Sequence, residues 1–515
     1  MNTTSTPSPQ TRKRHCWECL RRCLVCDSTR PACKRCSASG TACPGYDETK
    51  PARLRWLAPG RVTSRTTRKS KGGGGGSAPS PPTDEDKSGG SASVDTAQVA
   101  APQTNDSMAV SRFEMRTEAC DLVQAVQYFN TCIYQELLPM HELGPNPFIY
   151  AISPSHIQQA IECPEYLRLS MVCMALSHRL SRTTSDAHTN ALNATFYRYR
   201  GIVIRSISQD IAREQRHTSN AVLAGVMFLL LADVQQGASP HWRCHLEGFQ
   251  RLLAMRGGLR ALAASKPLGA LIRCFVFISV IGNTTCPASD LVMADLHLAD
   301  LDIILNHYSG EFLPFQMCPP PLFGDIIRIN HLRMRARAFE ATEARGLSQE
   351  ALEVLERIRD YSPREWAESK VWSTEDWLLV GEIYRATTAL YCILSLQSVS
   401  LLPQSPSLSA QCTRYGQDLY TLLSQGLPSP KTKRFMIWPL VVLGVEAVRG
   451  GATVRAFVAR ELPEIGRHVG THVPLTAKRV LQRFWTSDAT SWDACFDRPF
   501  AFATQISVDV SEIMP

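Results

Sequence analysis

Six cysteines of this 515-residue chain follow one repeated spacing, Cys16-x2-Cys19-x6-Cys26 and then Cys33-x2-Cys36-x6-Cys43. So short a stretch has too few apolar residues to fold around a hydrophobic core, so something else must hold it together. The N-terminus is polar and lacks the apolar core of a secretory signal, which predicts a reducing compartment. Of 18 cysteines, seven crowd into residues 16–43, and the other eleven are scattered without a CxxC pair. Dense local thiols in a reduced compartment point to metal rather than disulfides. Zinc takes four tetrahedral ligands and suits thiolates. Six thiolates serve two Zn2+ only if two sulfurs bridge, and the first cysteine of each half, Cys16 and Cys33, is the natural pair. One ion then takes Cys16, Cys19, Cys26 and Cys33, and the other takes Cys16, Cys33, Cys36 and Cys43. The metals would supply much of the folding energy.

Charge divides the chain in the same place. Residues 1–71 carry 16 Lys+Arg against 4 Asp+Glu, a net of +12; the whole chain is +8, which leaves −4 for residues 72–515. A basic, cysteine-rich head on a slightly acidic body predicts a polyanion-binding module on a separate domain. Residues 72–107 are dominated by Gly, Ser, Pro and small polar residues and read as a flexible linker. Their pentaglycine is not a phosphate loop, because no Lys-Ser/Thr follows at the right offset and no strand precedes it. No sustained heptad lies between Cys43 and the linker, so no coiled-coil dimeriser flanks the head.

Residues 108–515 show helical periodicity and are expected to form one large all-α domain. Trp242, Leu246, Phe249 and Leu253 share a face, with Gly257-Gly258 as the stop. SQEALEVLERIRDY, residues 348–361, reads as a helix with Ser348 as N-cap and Leu352, Leu355 and Ile358 inward. Glu353 and Arg357 stand at i,i+4 on its exposed side. The longest apolar runs, AVLAGVMFLLLAD from Ala221 and FVFISVIG from Phe275, are too short to span a bilayer and are expected as buried helix. With 44% hydrophobic and 20% charged residues, the composition is that of a soluble globular protein, and no membrane partner is expected. No HExxH, GxSxG, P-loop or GxGxxG after a strand occurs, so no enzyme is expected. Cys120, Cys132, Cys163, Cys173, Cys244, Cys274 and Cys286 read as small buried side chains, and His245 as a structural residue. From Asp488 the chain mixes acids (Asp488, Asp493, Asp497, Asp509, Glu512) with Trp492, Phe496, Phe500 and Phe502. It reads first as a tail packed on the body, and second as an acidic-aromatic activation segment.

The six spaced cysteines, Asp27 after the third, Pro31 between the halves and the CPGY at 43–46 resemble the fungal binuclear zinc cluster (Zn2Cys6) transcription factors. KPARLRWLAPGRVTSR at 50–65 is similar to an extension in one branch of that family. NTCIYQELLPMHELGPNPFIY at 130–150 and HWRCHLEGFQRLLAMRGG at 241–258 resemble the accompanying fungal-specific transcription factor domain, which implies a regulatory body. The resemblance implies a nuclear regulator of RNA polymerase II genes, bound to double-stranded DNA as a monomer or homodimer. Other transcription regulators, or a small-molecule effector acting on the body, are further partners it allows. LRRCLV, between Cys19 and Cys26, is by that resemblance a short helix presented to the major groove, where basic side chains read a CGG triplet. Arg22 matches one such position. Arg21, Lys34 and Arg35 are placed to meet phosphates, which position without reading sequence. Arg12, Lys13, Arg14 and the basic run from Arg65 to Lys71 add salt-sensitive attraction. They also read as nuclear localisation signals, or as a solvated tail.

Cys23 falls where Lys or Arg is usual. A thiol cannot form the fork that Arg makes with guanine, and one bidentate contact is worth about 1–3 kcal/mol of discrimination. A tolerated substitution, a weakened or shifted site preference, and a redox-sensitive thiol all remain open. Other readings compete with DNA binding: a RING or LIM module, a thiol store, and a zinc cluster that contacts only protein. At the level of the whole chain, the alternatives are a regulator that reaches its genes through partners and a metabolite-sensing helical domain.

Overall fold

The computed structural model describes Cys16, Cys19, residues 26–41 and Cys43, and then residues 118–503 apart from 184–185, 214–217, 238, 240, 264, 310–317 and 338–343. The chain divides into two compact units, Met1–Met108 and Ala109–Pro515, each taken here by itself. The linker expected at 72–107 lies outside the described residues.

In the first unit the packed centre is sulfur: Cys16, Cys19, Cys26, Cys33 and Cys36 are buried, with Cys43 against them. A short helix, Lys34–Ala38, starts where Cys33 Sγ accepts the N–H of Cys36.

The second unit is helical, and no strand occurs among its described residues. Several of its helices start at capping serines. Ser219 Oγ accepts from Val222 N, and Ser405 and Ser362 do the same ahead of Pro406 and Pro363. Neighbours in sequence pack on one another: Glu165–Arg182 lies on Asp186–Ile211 and Asn220–Gln235, and Asn220–Gln235 lies on Trp242–Met255. Further along, Ile437–Gly450 lies on Ala452–Val469, which lies on Val473–Trp485. The helix Thr374–Ser398 is central, touching Pro320–Arg335, Ala344–Asp360, Pro363–Glu368, Pro406–Gly426 and Ile437–Gly450. Surrounded this way its C-terminal half has no solvent face, and every residue from Ala386 to Gln397 is buried. Its mid-helix hydroxyls are satisfied locally: Thr387 donates to Ile383 O at 2.6 Å and Thr388 to Tyr384 O at 2.7 Å.

The two long apolar runs are buried helices, Asn220–Gln235 and Gly269–Thr284. No described helix is long and apolar enough to cross a membrane. Trp242–Met255 buries the expected face and adds Leu252 to it. It ends at Gly257 (φ 90°) and Gly258 (φ 81°), left-handed positions where a side chain would be strained.

Three local expectations are corrected. The helix read from Ser348 begins earlier and spans Ala344–Asp360, so Ser348 lies inside it and caps nothing. Its buried face is Leu347, Ala351, Val354, Leu355 and Ile358, and Leu352 is exposed. Glu353 and Arg357 stand on the exposed side as expected, and Arg357 crosses to Asp325 at 3.1 Å while Glu353 accepts from Gln349 at 3.2 Å. A buried carboxylate on another helix offers Arg357 a stronger partner than a solvated neighbour on its own. Among the scattered cysteines, Cys163, Cys173, Cys274 and Cys286 are buried as expected, but Cys120 and Cys244 are exposed and Cys132 is half-buried. His245 has the structural place expected of it: Nε2 lies 3.2 Å from Asp233 Oδ2, and Asp233 also holds both arms of Arg200 at 2.9 and 2.8 Å.

The acid-aromatic C-terminal stretch packs on the body as far as it is described. Trp492, Phe496, Phe500 and Phe502 are buried, and Asp493 pairs with buried Arg333 at 2.7 Å. Residues 504–515, with Asp509 and Glu512, lie outside the described residues.

One close helix crossing carries a pH dependence. Gly416 faces Glu446, and a Cβ there would stand 2.7 Å from the carboxyl carbon. Burial pushes Glu446 up to about 7, with Arg449 opposing only in part. Because the folded value exceeds the unfolded one, the unfolded chain gives up this proton first as pH rises from about 4.5 to 7. The group therefore costs nothing below pH 4.5, and its full cost of about 3 kcal/mol is reached above pH 7. Glu446→Gln should thus stabilise the body at pH 7.5 and bring no gain at pH 4.5. Urea melts of the two forms at both pH values test this, and an equal difference at both would refute it.

Candidate metal centre

The two cysteine halves repeat in space as well as in sequence. In the first, Cys16 N donates to Cys26 Sγ at 3.5 Å and Cys19 N to Cys16 Sγ at 3.4 Å. In the second, Cys33 N donates to Cys43 Sγ at 3.4 Å and Cys36 N to Cys33 Sγ at 3.3 Å. Each half thus turns its own backbone N–H groups onto its first and last sulfurs. Hydrogen bonds of this kind favour the thiolate over the thiol.

Between the halves, Cys16 Sγ stands 3.7 Å from both Cys33 Sγ and Cys36 Sγ, and Cys19 Sγ is 3.6 Å from Cys33 Sγ. These are far from the roughly 2.05 Å of a disulfide. Sulfurs about 2.3 Å from a common tetrahedral centre would stand about 3.8 Å apart, close to what is seen. The sulfurs of Cys16, Cys19, Cys26 and Cys33 all lie within 4.8 Å of one another, as do those of Cys16, Cys33, Cys36 and Cys43. These are the two four-cysteine sets that the spacing predicts, with Cys16 and Cys33 common to both.

Burial pushes the Cys16 and Cys36 thiols up and that of Cys19 up to about 12, and neighbouring sulfurs add to the rise. Thiols crowded this closely hold their protons unless a cation sits among them. The all-sulfur donor set and its spacing fit a soft divalent ion, and the cluster can hold metal.

Asp27 ties the loop between the halves to the helix Lys34–Ala38. Its carboxylate accepts from the Thr29 hydroxyl, and Oδ2 accepts from Lys34 N at 3.2 Å. The Thr29 hydroxyl, then the N–H groups of Lys34, Asp27 itself and Arg35, outweigh burial and hold Asp27 down to about 2. Asp27 is therefore a carboxylate at the positive end of Lys34–Ala38. Thr29 was missed in the sequence, although an Asp with a hydroxyl residue two places on is a recognisable turn signature. With Cys33 and Cys36 turned inward, Lys34 and Arg35 are left exposed, as phosphate-contacting residues require. Arg21, Arg22 and Cys23 lie outside the described residues.

In comparisons with known proteins, residues 124–501 match the fungal specific transcription factor domain. The phomenoic acid biosynthesis cluster-specific transcriptional regulator of Leptosphaeria maculans is 44% identical over 505 residues, which cover 98% of this chain and 91% of that protein. No solved structure matches the chain.

Proposed function

Because the chain belongs to the family of the fungal specific transcription factor domain, we propose that it is a zinc-dependent, sequence-specific DNA-binding regulator of RNA polymerase II genes. The observation that carries this reading is the pair of interlocked four-cysteine sets, with Lys34 and Arg35 exposed on the adjoining helix. Two Zn2+ held by Cys16, Cys19, Cys26, Cys33, Cys36 and Cys43 would supply the cross-links that a segment without an apolar core lacks. Lys34 and Arg35, with Arg21, meet phosphates and set the cluster's register on the duplex, and Arg22 reads a guanine edge in a CGG-type triplet. The net of +12 on residues 1–71 supports long-range attraction to DNA and entry into the nucleus. The body is a regulatory rather than catalytic unit. Following the relative's printed role, we extend to this chain the control of the genes of one biosynthetic cluster.

Site selection from random duplex DNA with the zinc-loaded chain tests the reading, with Cys23→Arg alongside. Enrichment of a CGG-containing site by both proteins is the expected result and makes Cys23 a tolerated substitution. Enrichment by Cys23→Arg alone would mean weakened readout and a regulator that reaches its genes through partners. No enrichment by either, under zinc, would refute sequence-specific binding. Salt dependence separates the roles. Lys34→Ala should weaken binding about equally on all sequences and lower the slope of log K against log salt by about 1, while leaving the preferred site unchanged. A changed site preference in Lys34→Ala would instead place Lys34 on a base.

A further inference from the structure

Five serine-proline pairs follow residue 108, at Ser153, Ser239, Ser362, Ser405 and Ser429. Four of these serines commit their hydroxyl to the backbone. Ser153, Ser362 and Ser405 cap helices that begin at the proline, and accept from His156 N, Glu365 N and Leu408 N at 3.4, 3.2 and 3.3 Å. Ser239 accepts from His241 N at 3.3 Å. Ser429 is used differently. It lies in the connection 427–432, after the helix Pro406–Gly426 and before the 3-10 turn Lys433–Met436. Pro428 and Pro430 on either side are exposed, Ser429 is half-buried, and its carbonyl accepts from Lys433 N at 3.1 Å. Its hydroxyl caps nothing among the described residues.

Proline has no backbone N–H, so a kinase groove that offers no acceptor just after the target serine takes Ser-Pro and strands the donor of other residues. Such a groove also needs its substrate extended. A serine that caps a helix can be drawn out only by opening the helix start. Ser429 has no cap to lose. Two residues on, Lys431 holds three segments together. Its Nζ lies 2.8 Å from Glu142 Oε2, in the turn Leu138–Leu143, and 3.4 Å from Asp376 Oδ2, in the first turn of Thr374–Ser398. The Lys431 side chain is 29% exposed, and pairs this open to water yield to a stronger anion. Lys433, also half-buried, is a second cation close by in the chain.

We propose that Ser429 is a phosphorylation site for a proline-directed serine/threonine kinase, and that its phosphate takes Lys431 from Glu142 and Asp376. Ser429 Oγ attacks the γ-phosphorus of MgATP, the bond to the bridging oxygen of the leaving ADP breaks, and the hydroxyl proton passes to the base of the kinase. The product adds about two negative charges and three strong acceptor oxygens to the loop. Charge-assisted bonds from Lys431 and Lys433 offset that charge, while Glu142 and Asp376 lose their shared cation. The proposal goes beyond DNA binding and is tested without DNA, so either reading can fail alone.

The test is incubation of the full-length, zinc-loaded chain with a cyclin-dependent kinase and MgATP, followed by phosphopeptide mapping of the body. Ser429 should carry about tenfold more phosphate than any of the other four serines, because their hydroxyls are engaged. No phosphate at Ser429, or no excess there over the other four, would overturn the assignment. The phosphorus NMR resonance that Ser429→Ala abolishes then reports the partner. A phosphoserine loses its second proton at about pH 6, and a bound ammonium lowers that value. In Lys431→Gln the value should rise by about half a unit. Ser429 and Lys431 are both partly exposed in a loop, so both variants should keep the fold. An unchanged value in Lys431→Gln would refute the transfer of Lys431 to the phosphate.

Discussion

Cys16→Ser should empty both metal positions, whereas Cys43→Ser should disturb one. Cys16 belongs to both sets of converging sulfurs and Cys43 to the second alone. Structural zinc contributes about 10–16 kcal/mol to the folding of domains that lack a core. Losing a shared sulfur removes the means by which residues 16–43 fold. Zinc content of the purified full-length chain should fall from two to near zero in Cys16→Ser, and affinity for the selected DNA should drop to the nonspecific level, about 10³-fold or more. Cys43→Ser should retain about one zinc, since Cys16, Cys19, Cys26 and Cys33 are intact. Equal zinc loss in the two variants would sink the shared-sulfur arrangement.

Arg333→Met should cost the body about 3–5 kcal/mol, because it strands several buried polar groups at once. Arg333 is fully buried. Its Nη1 donates to Asn283 O at 3.2 Å and to the Tyr391 hydroxyl at 3.1 Å, and its Nη2 donates to Cys286 O and Asp493 Oδ1, both at 2.7 Å. Burial works against its charge, but Tyr391 and Asp493 more than offset this. Asp493 is also the latch of the C-terminal stretch: Oδ2 accepts from Ala288 N at 3.1 Å, and its own N–H donates to Ser398 Oγ at 3.0 Å. Beside it Trp492 donates to Thr284 O at 2.8 Å, and Phe500 exchanges hydrogen bonds with Thr285. Without Arg333 the latch loses its ionic partner, so chymotrypsin should cut after the now uncovered Phe496 under native conditions, where the parent, with Phe496 buried, resists. A variant with parental stability and parental resistance at Phe496 would show that the latch does not depend on Arg333.

The helices were legible where their signals are local. Trp242, Leu246, Phe249 and Leu253 recur at helical spacing, and the glycines that stop them need only a left-handed backbone. The start of Ala344–Asp360 was misread because Ser348 is a good cap wherever it is free to be one, and packing carries the helix past it. Exposure of Cys120 and Cys244 was illegible for a related reason. A cysteine is small and apolar enough for either environment, and only its neighbours on other helices decide.

What the sequence determined by itself is the pair of converging cysteine sets and the two-part organisation. Ligand spacing is a property of the chain, and six sulfurs at these intervals can converge with little help from anything distant. The segregation of charge, with +12 on residues 1–71, is likewise written in composition. Tertiary structure alone decided the polar interior of the body. Arg333 meets Asp493 across 160 positions, and Arg434 meets Glu136 across a still longer stretch. Nothing local marks an arginine for burial, because its charge is stable in the core only beside partners that folding brings in from remote helices.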